Sequence, residues 1–121
     1  MKLHLTQSDS HNLITGYADD YIEVNRQRYA NNLIVTTNKI INDFASTFKE
    51  LTENDFKTIV EIKPEIVLLG TGKTHQFLHP RIIAMLSQQG VALECMATGA
   101  ACRTYNILMS EGRHVAAMLL L

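Results

Sequence analysis

The sequence predicts one α/β domain over residues 1–121, with a partly parallel sheet and a β-rich N-terminal half. Three observations predict it. From Ile66 onward, strand-like and helix-like stretches alternate. Before that, apolar runs are short, β-branched and broken by Asn, Asp and Gly. Apolar residues make up 46% and charged residues 19% of 121 residues, the balance of a folded chain with its own core.

The elements follow in order. Leu3–Leu5 reads as a short edge strand and Ser8-Asp9-Ser10 as a turn. Leu13–Tyr17 is a weak strand whose Gly16 marks a bulge. Tyr21–Val24 and Leu33–Thr36 are stronger strands, and the polar Asn25–Arg28 between them makes 21–36 read as an antiparallel hairpin. Ile40–Phe44 adds an extended piece, and 42–50 reads as mostly loop. Thr52, followed by Glu53 and Asp55, begins a helix that Pro64 ends, because proline disfavours α geometry at Lys63.

The second half is clearer. Ile66-Val67-Leu68-Leu69 is apolar throughout, as a strand covered on both faces requires. Pro80 fits a first helical position, Ile82, Met85, Leu86 and Gln89 follow at helical spacing, and Gly90 closes that helix. Val91–Met96 is the next strand, and Cys95 reads as buried within it. Thr98 is the expected N-cap of the last helix and Gly112 its left-handed stop. On that helix Ala101, Cys102, Tyr105, Leu108 and Met109 form an apolar face, with Arg103, Asn106 and Ser110 as a polar stripe. Ile107 lies beyond the stripe, so the helix reads as buried on two sides. Arg103 is then partly buried and needs a partner, with Glu94 and Glu111 as nearby carboxylates. His114–Leu120 is the last strand.

The formal net charge is −1, which offers no electrostatic case for nucleic acid or an anionic membrane. Two cysteines do not make a disulfide framework. The first eight residues lack the apolar core of a signal peptide, and Val115–Leu121 is too short to cross a bilayer. A soluble cytoplasmic protein without membrane insertion is expected.

Most motifs fail on spacing. Gly72-Lys73-Thr74 ends like a phosphate-binding P-loop, but Val67 stands where the first glycine belongs. The dinucleotide fingerprint fails at His75. His75 and His79 lack a third metal ligand. Cys102 beside Arg103 has the neighbour that lowers a thiol pKa, yet it faces inward. What remains is a crevice at strand ends, where ligands favour parallel sheets. Its candidate residues are Gly70, Thr71, Gly72, Thr98, Gly99, Arg103 and Asn106, with Lys73 and His75 adding charge. No catalytic residue, metal or cofactor is assigned.

Leu68-Leu69-Gly70-Thr71-Gly72, Met96 through Leu108 (with Ala100-Ala101-Cys102-Arg103-Thr104-Tyr105-Asn106 at its centre) and Glu111-Gly112-Arg113 resemble a small family of unknown biochemical activity. It includes bacterial and archaeal proteins and the mitochondrial assembly factor of respiratory complex I (NADH:ubiquinone oxidoreductase). The resemblance implies a three-layer α/β fold, with a mixed central sheet and an attached β-hairpin layer. It implies no established enzyme activity and no cofactor. A family tryptophan is replaced by Phe44, and a family proline is missing near Thr37-Asn38.

Two functions follow. The first is a non-enzymatic binding or assembly module, using the 70–75 and 96–106 loops to meet an unidentified protein partner. Membrane-complex subunits are the partner class the resemblance implies, and self-association is left open. The second is a binder of, or enzyme for, a small anion or metabolite at Thr98, held by Arg103, with His75 as the one obvious base.

Overall fold

The computed structural model describes residues 11–42, 44 and 47–121. The strand expected at Leu3–Leu5 and the turn at Ser8–Ser10 lie outside them. Three layers build the fold. The middle is a five-stranded mixed sheet in the order β5-β4-β8-β6-β7. Its strands are β4 (Leu33–Thr36), β5 (Ile40–Asn42), β6 (Ile66–Gly70), β7 (Ala92–Met96) and β8 (Val115–Leu119). β6 runs parallel to both β7 and β8, while β4 is antiparallel to β8 and β5.

The helices α1 (Lys57–Ile62) and α2 (Pro80–Gln88) cover one face. Phe56, Ile59, Ile82 and Leu86 pack there against Ile34, Val67, Leu69, Ala116 and Met118. The helix α3 (Thr98–Ser110) covers the other face, together with a small antiparallel sheet. That sheet is β1 (Ile14–Ala18), β2 (Tyr21–Val24) and β3 (Gln27–Tyr29). Its Ile14, Ile22 and Val24 join Ala101, Cys102 and Tyr105 against Leu33, Val35, Leu68, Val115, Ala117 and Leu119. The two-residue period of each strand therefore feeds two cores at once, which is why β6 and β8 carry no polar residue. The crossover from β6 to β7 moves one way across the sheet and that from β7 to β8 moves back. Crossovers of one hand then place α2 and α3 on opposite faces.

Several local expectations are met by identifiable bonds. The register of β1 on β2 slips between Ile14 and Gly16, the bulge expected at Gly16. Lys63 takes a left-handed conformation (φ 54°) ahead of Pro64, ending α1. α3 closes with paired bonds from Gly112 N–H to Met109 and Arg113 N–H to Leu108, and Gly112 is left-handed at φ 81°. The Thr52 helix begins as a 3-10 turn, Glu53–Phe56, before α1.

Four expectations are corrected. Tyr21–Val24 does not pair with Leu33–Thr36. β2 turns back at once through Asn25 and Arg26 (φ 51° and 70°) onto β3, and β4 joins the central sheet instead. A two-residue turn with both φ positive matches strand twist, and asparagine tolerates it, but no glycine flagged it. β7 is an edge strand, so Cys95 is only half-buried. Ile107 is exposed, since α3 has a single apolar face, and Leu108 is half-buried. Arg103 is exposed as well.

Arg26 supplies a test of the turn. A left-handed L-residue costs about 1–2 kcal/mol, and glycine costs about 0.5–1 kcal/mol in chain entropy. Arg26→Gly is expected to raise stability by about 0.5–1 kcal/mol in a denaturant melt. A loss of stability would mean that the Arg26 side chain, and not the turn geometry, sets the hairpin.

Candidate functional site

The ends of β6, β7 and β8 meet the start of α3, and one hydroxyl ties them. Thr98 Oγ1 accepts from the Gly72 N–H (2.8 Å) and donates to the Leu120 carbonyl (2.6 Å). The Thr98 N–H donates to the Gly72 carbonyl at 2.9 Å. Thr98 is thus not the N-cap. Ala97 holds that position without a side-chain cap, because the threonine hydroxyl is committed to the loop and to the end of β8. Gly70 makes the approach feasible. A Cβ there would lie 2.9 Å from both Thr98 Cα and Oγ1.

Above this junction lies an open cleft of about 650 Å³. Gly72, Lys73, Thr98, Gly99 and Arg103 line one part of it, and Tyr17, Ala18 and Asp19 of the β1–β2 turn line another. Lys73 pairs with Asp19 across it at 3.3 Å, both side chains being well exposed. Arg103 donates to the Tyr17 hydroxyl and lies 5.9 Å from the centre of its ring. Arg103 therefore has a phenol for a partner. No carboxylate among the described residues, including Glu94 and Glu111, pairs with it.

The predicted residues separate into three groups. Gly72, Thr98, Gly99 and Arg103 come together at the cleft. Gly70 and Thr71 lie behind it. Gly70 is the contact point for Thr98, and the buried Thr71 hydroxyl donates to the Thr74 carbonyl at 2.6 Å while accepting from the Gln76 N–H. Asn106 is elsewhere. Its side chain accepts from the Ile14 N–H (2.9 Å) and donates to the Ile14 carbonyl (2.8 Å), clamping β1 to α3. His75 is exposed against Phe77, with ring centres 4.5 Å apart. His79 caps α2, its Nδ1 accepting from the Arg81 N–H at 3.0 Å. Tyr17 and Asp19 were not foreseen. They stand about 80 residues before α3, and only Gly99, whose Cβ would lie 2.7 Å from the Tyr17 ring, hints that something crosses there.

Comparison with known proteins now places the fold. Residues 14–120 match the family described as "Protein of unknown function (DUF498/DUF598)". The chain belongs to this family. Among its relatives is mouse "NADH dehydrogenase [ubiquinone] 1 alpha subcomplex assembly factor 3", 38% identical over 60% of this chain and 40% of that one. Another is the "13 kDa major membrane protein" of Francisella tularensis, 30% identical over 80% of each chain. A crystal structure from Bordetella parapertussis is 35% identical, with a TM-score of 0.86 over 92% of this chain and 96% of that one. The chain spans less than two thirds of the length of the assembly-factor relatives. No helix among the described residues is long and apolar enough to cross a membrane.

In this member of the family, burial rather than Arg103 governs Cys102. It pushes the thiol up to about 12, against the smaller opposing pull of the guanidinium. At neutral pH Cys102 is a packed thiol and not a nucleophile. Tyr105, buried beside it, is also raised by burial, and its hydroxyl donates to the Asn12 carbonyl at 2.8 Å.

Two outcomes follow. Above pH 9 an unfolded Cys102 gives up its proton while the folded one keeps it, so stability falls as pH rises toward about 12. The fall is at most about 1.4 kcal/mol per pH unit. Cys102→Ala is expected to flatten melts compared at pH 8.5 and 10, and an unchanged slope would place the thiol in water. Thr98→Val leaves the Gly72 N–H and Leu120 carbonyl without their partner, at a cost of about 2–4 kcal/mol. Thr98→Ser keeps both bonds and costs about 1 kcal/mol for the lost methyl. Equal losses in chemical melts would show that the methyl, not the hydroxyl, matters.

Proposed function

We propose that this chain is a non-enzymatic binding module of the assembly-factor kind, cytoplasmic, holding a protein partner at the cleft over α3. The carrying observation is the naming of relatives as complex I assembly factors, one of them 38% identical over 60% of this chain. By that likeness the partner is a subunit of a respiratory or other membrane complex. The rim of the cleft suits such a role. Tyr17 and Arg103 belong to the residue types enriched at interface centres, and Lys73 and Asp19 give the rim a polar, salt-sensitive character. Arg103 exchanges a neutral phenol for a partner carboxylate without breaking an ion pair of its own.

The test uses the tagged chain in its native lysate, with mass spectrometry of retained proteins and small molecules. Membrane-complex subunits are expected with the natural chain and are expected to be lost with Arg103→Glu. Arg103 is exposed, so losing its bond to Tyr17 in that variant is expected to cost no more than about 1.5 kcal/mol, which a melt checks. Subunits still held by Arg103→Glu would move the partner away from the cleft. A stoichiometric metabolite in place of any subunit would favour the small-ligand reading.

A further inference from the structure

We propose that the outer edge of β7, which no described strand pairs, is a second docking surface, which takes an extended strand of a protein partner carrying Lys or Arg opposite Glu94. It stands apart from the cleft and does not rest on the reading given above. The parallel register of β6 on β7 pairs Ile66 with Ala92, Leu68 with Glu94 and Gly70 with Met96. The Ala92 N–H donates to the Glu65 carbonyl, and the Met96 carbonyl accepts from the Thr71 N–H. In a parallel ladder the bonding residues alternate, so Ala92, Glu94 and Met96 face β6 through their backbone. Leu93 and Cys95 therefore turn N–H and C=O outward, and no described residue outside the strands bonds these backbone groups; the bond between Cys95 and the Leu78 backbone is made by the thiol. The β7 sequence carries none of the lysines, prolines or bulges that usually blunt such an edge.

Glu94 determines what can add there. Its side chain is exposed and has no ion-pair partner among the described residues. A second copy pairing antiparallel would satisfy all the outward groups only with Leu93 opposite Cys95 of the copy. That register sets Glu94 directly against Glu94 of the copy, in the close non-hydrogen-bonded pair, and like charges there are destabilising. Shifting the two-fold to Leu93 brings in Val91, whose N–H is already given to the Leu86 carbonyl. Shifting it to Cys95 brings in Ala97, whose carbonyl accepts from the Ala101 N–H. The carboxylate thus opposes self-pairing and favours a foreign strand with a cation at that position. Flanking residues of such a strand lie on the face of Leu93 and Cys95, which pack toward α2, and should be apolar.

The probe is a capped peptide with a Thr-Val-Lys-Val-Thr core, against the same peptide with a central Glu. Titration into the isotope-labelled chain is expected to shift the Leu93 and Cys95 amides. The Lys peptide is expected to bind at least about tenfold more tightly than the Glu peptide. Glu94→Lys, a surface change, should invert that preference. Leu93→Pro removes an outward N–H while sparing the ladder to β6, and should abolish binding of both peptides. If Leu93→Pro fails to fold, the inversion by Glu94→Lys decides alone. No amide shift with the Lys peptide, or equal affinity for both peptides, overturns the proposal. A concentration-dependent dimer of the natural chain that Leu93→Pro abolishes would also overturn it, making a second copy the occupant. Peptide binding at the edge and capture of subunits at the cleft are read on different variants, so either can fail alone.

Discussion

The close approach of α3 to the end of β6 is the constraint on which the rest depends. A Cβ at Gly70 would sit 2.9 Å from Thr98 Cα, and that neighbour is backbone, which cannot rotate away. Only a glycine lets the first turn of the helix settle there. Once it settles, the Thr98 hydroxyl ties the loop after β6 to the residue that follows β8. Leu120 adds its own N–H bond to the Gly70 carbonyl, and Thr71 its N–H bond to the Met96 carbonyl. Three strand ends and one helix start are thereby joined by backbone groups and a single side chain. The base of the cleft is this joint.

The other wall is hung from α3. The small antiparallel sheet has strands of only 5, 4 and 3 residues, and its one apolar face must pack against another layer. Here Asn106 bonds both backbone groups of Ile14, Arg103 holds the Tyr17 hydroxyl, and Gly99 admits the Tyr17 ring. Positions 99, 103 and 106 are spaced by four and three, so they lie along one face of the helix. β1 runs along that face, from the middle of α3 to its start. The β1–β2 turn is then delivered to the cleft, where Asp19 reaches Lys73.

Much of this was legible, and the failures share a cause. The alternation after Ile66 was clear because a strand covered on both faces must be apolar throughout. Gly112 was legible because a left-handed stop is a local demand. The stripe of Arg103, Asn106 and Ser110 was also legible, but its use was not. Asn106 meets Ile14 and Arg103 meets Tyr17, more than 80 residues away, and no periodicity carries that information. Thr98 obeyed the local rule for an N-cap and was claimed by a tertiary bond instead. Asn25 and Arg26 formed a tight turn without the glycine that would have announced it. Ile107 read as buried because helical spacing alone does not tell a second core from solvent.

Chain connectivity also explains why one side of the sheet is crowded and the other bare. α3 links β7 to β8, and β6 lies between them. The helix must cross over β6 to land, so it packs on β6 and β8 and only grazes β7. Neighbouring strands are about 4.8 Å apart and a helix is about 10 Å across, so one helix covers about two strands. The small sheet, fastened to α3, extends that cover toward β4, where Leu33 and Val35 meet it, and away from β7. Ala92 and Glu94 are left in solvent on this face, although α2 covers the opposite face of their strand. The same skipped strand that brings the start of α3 onto Gly70, and so builds the cleft, leaves Ala92 and Glu94 of β7 uncovered on one face and its outer edge unpaired among the described residues.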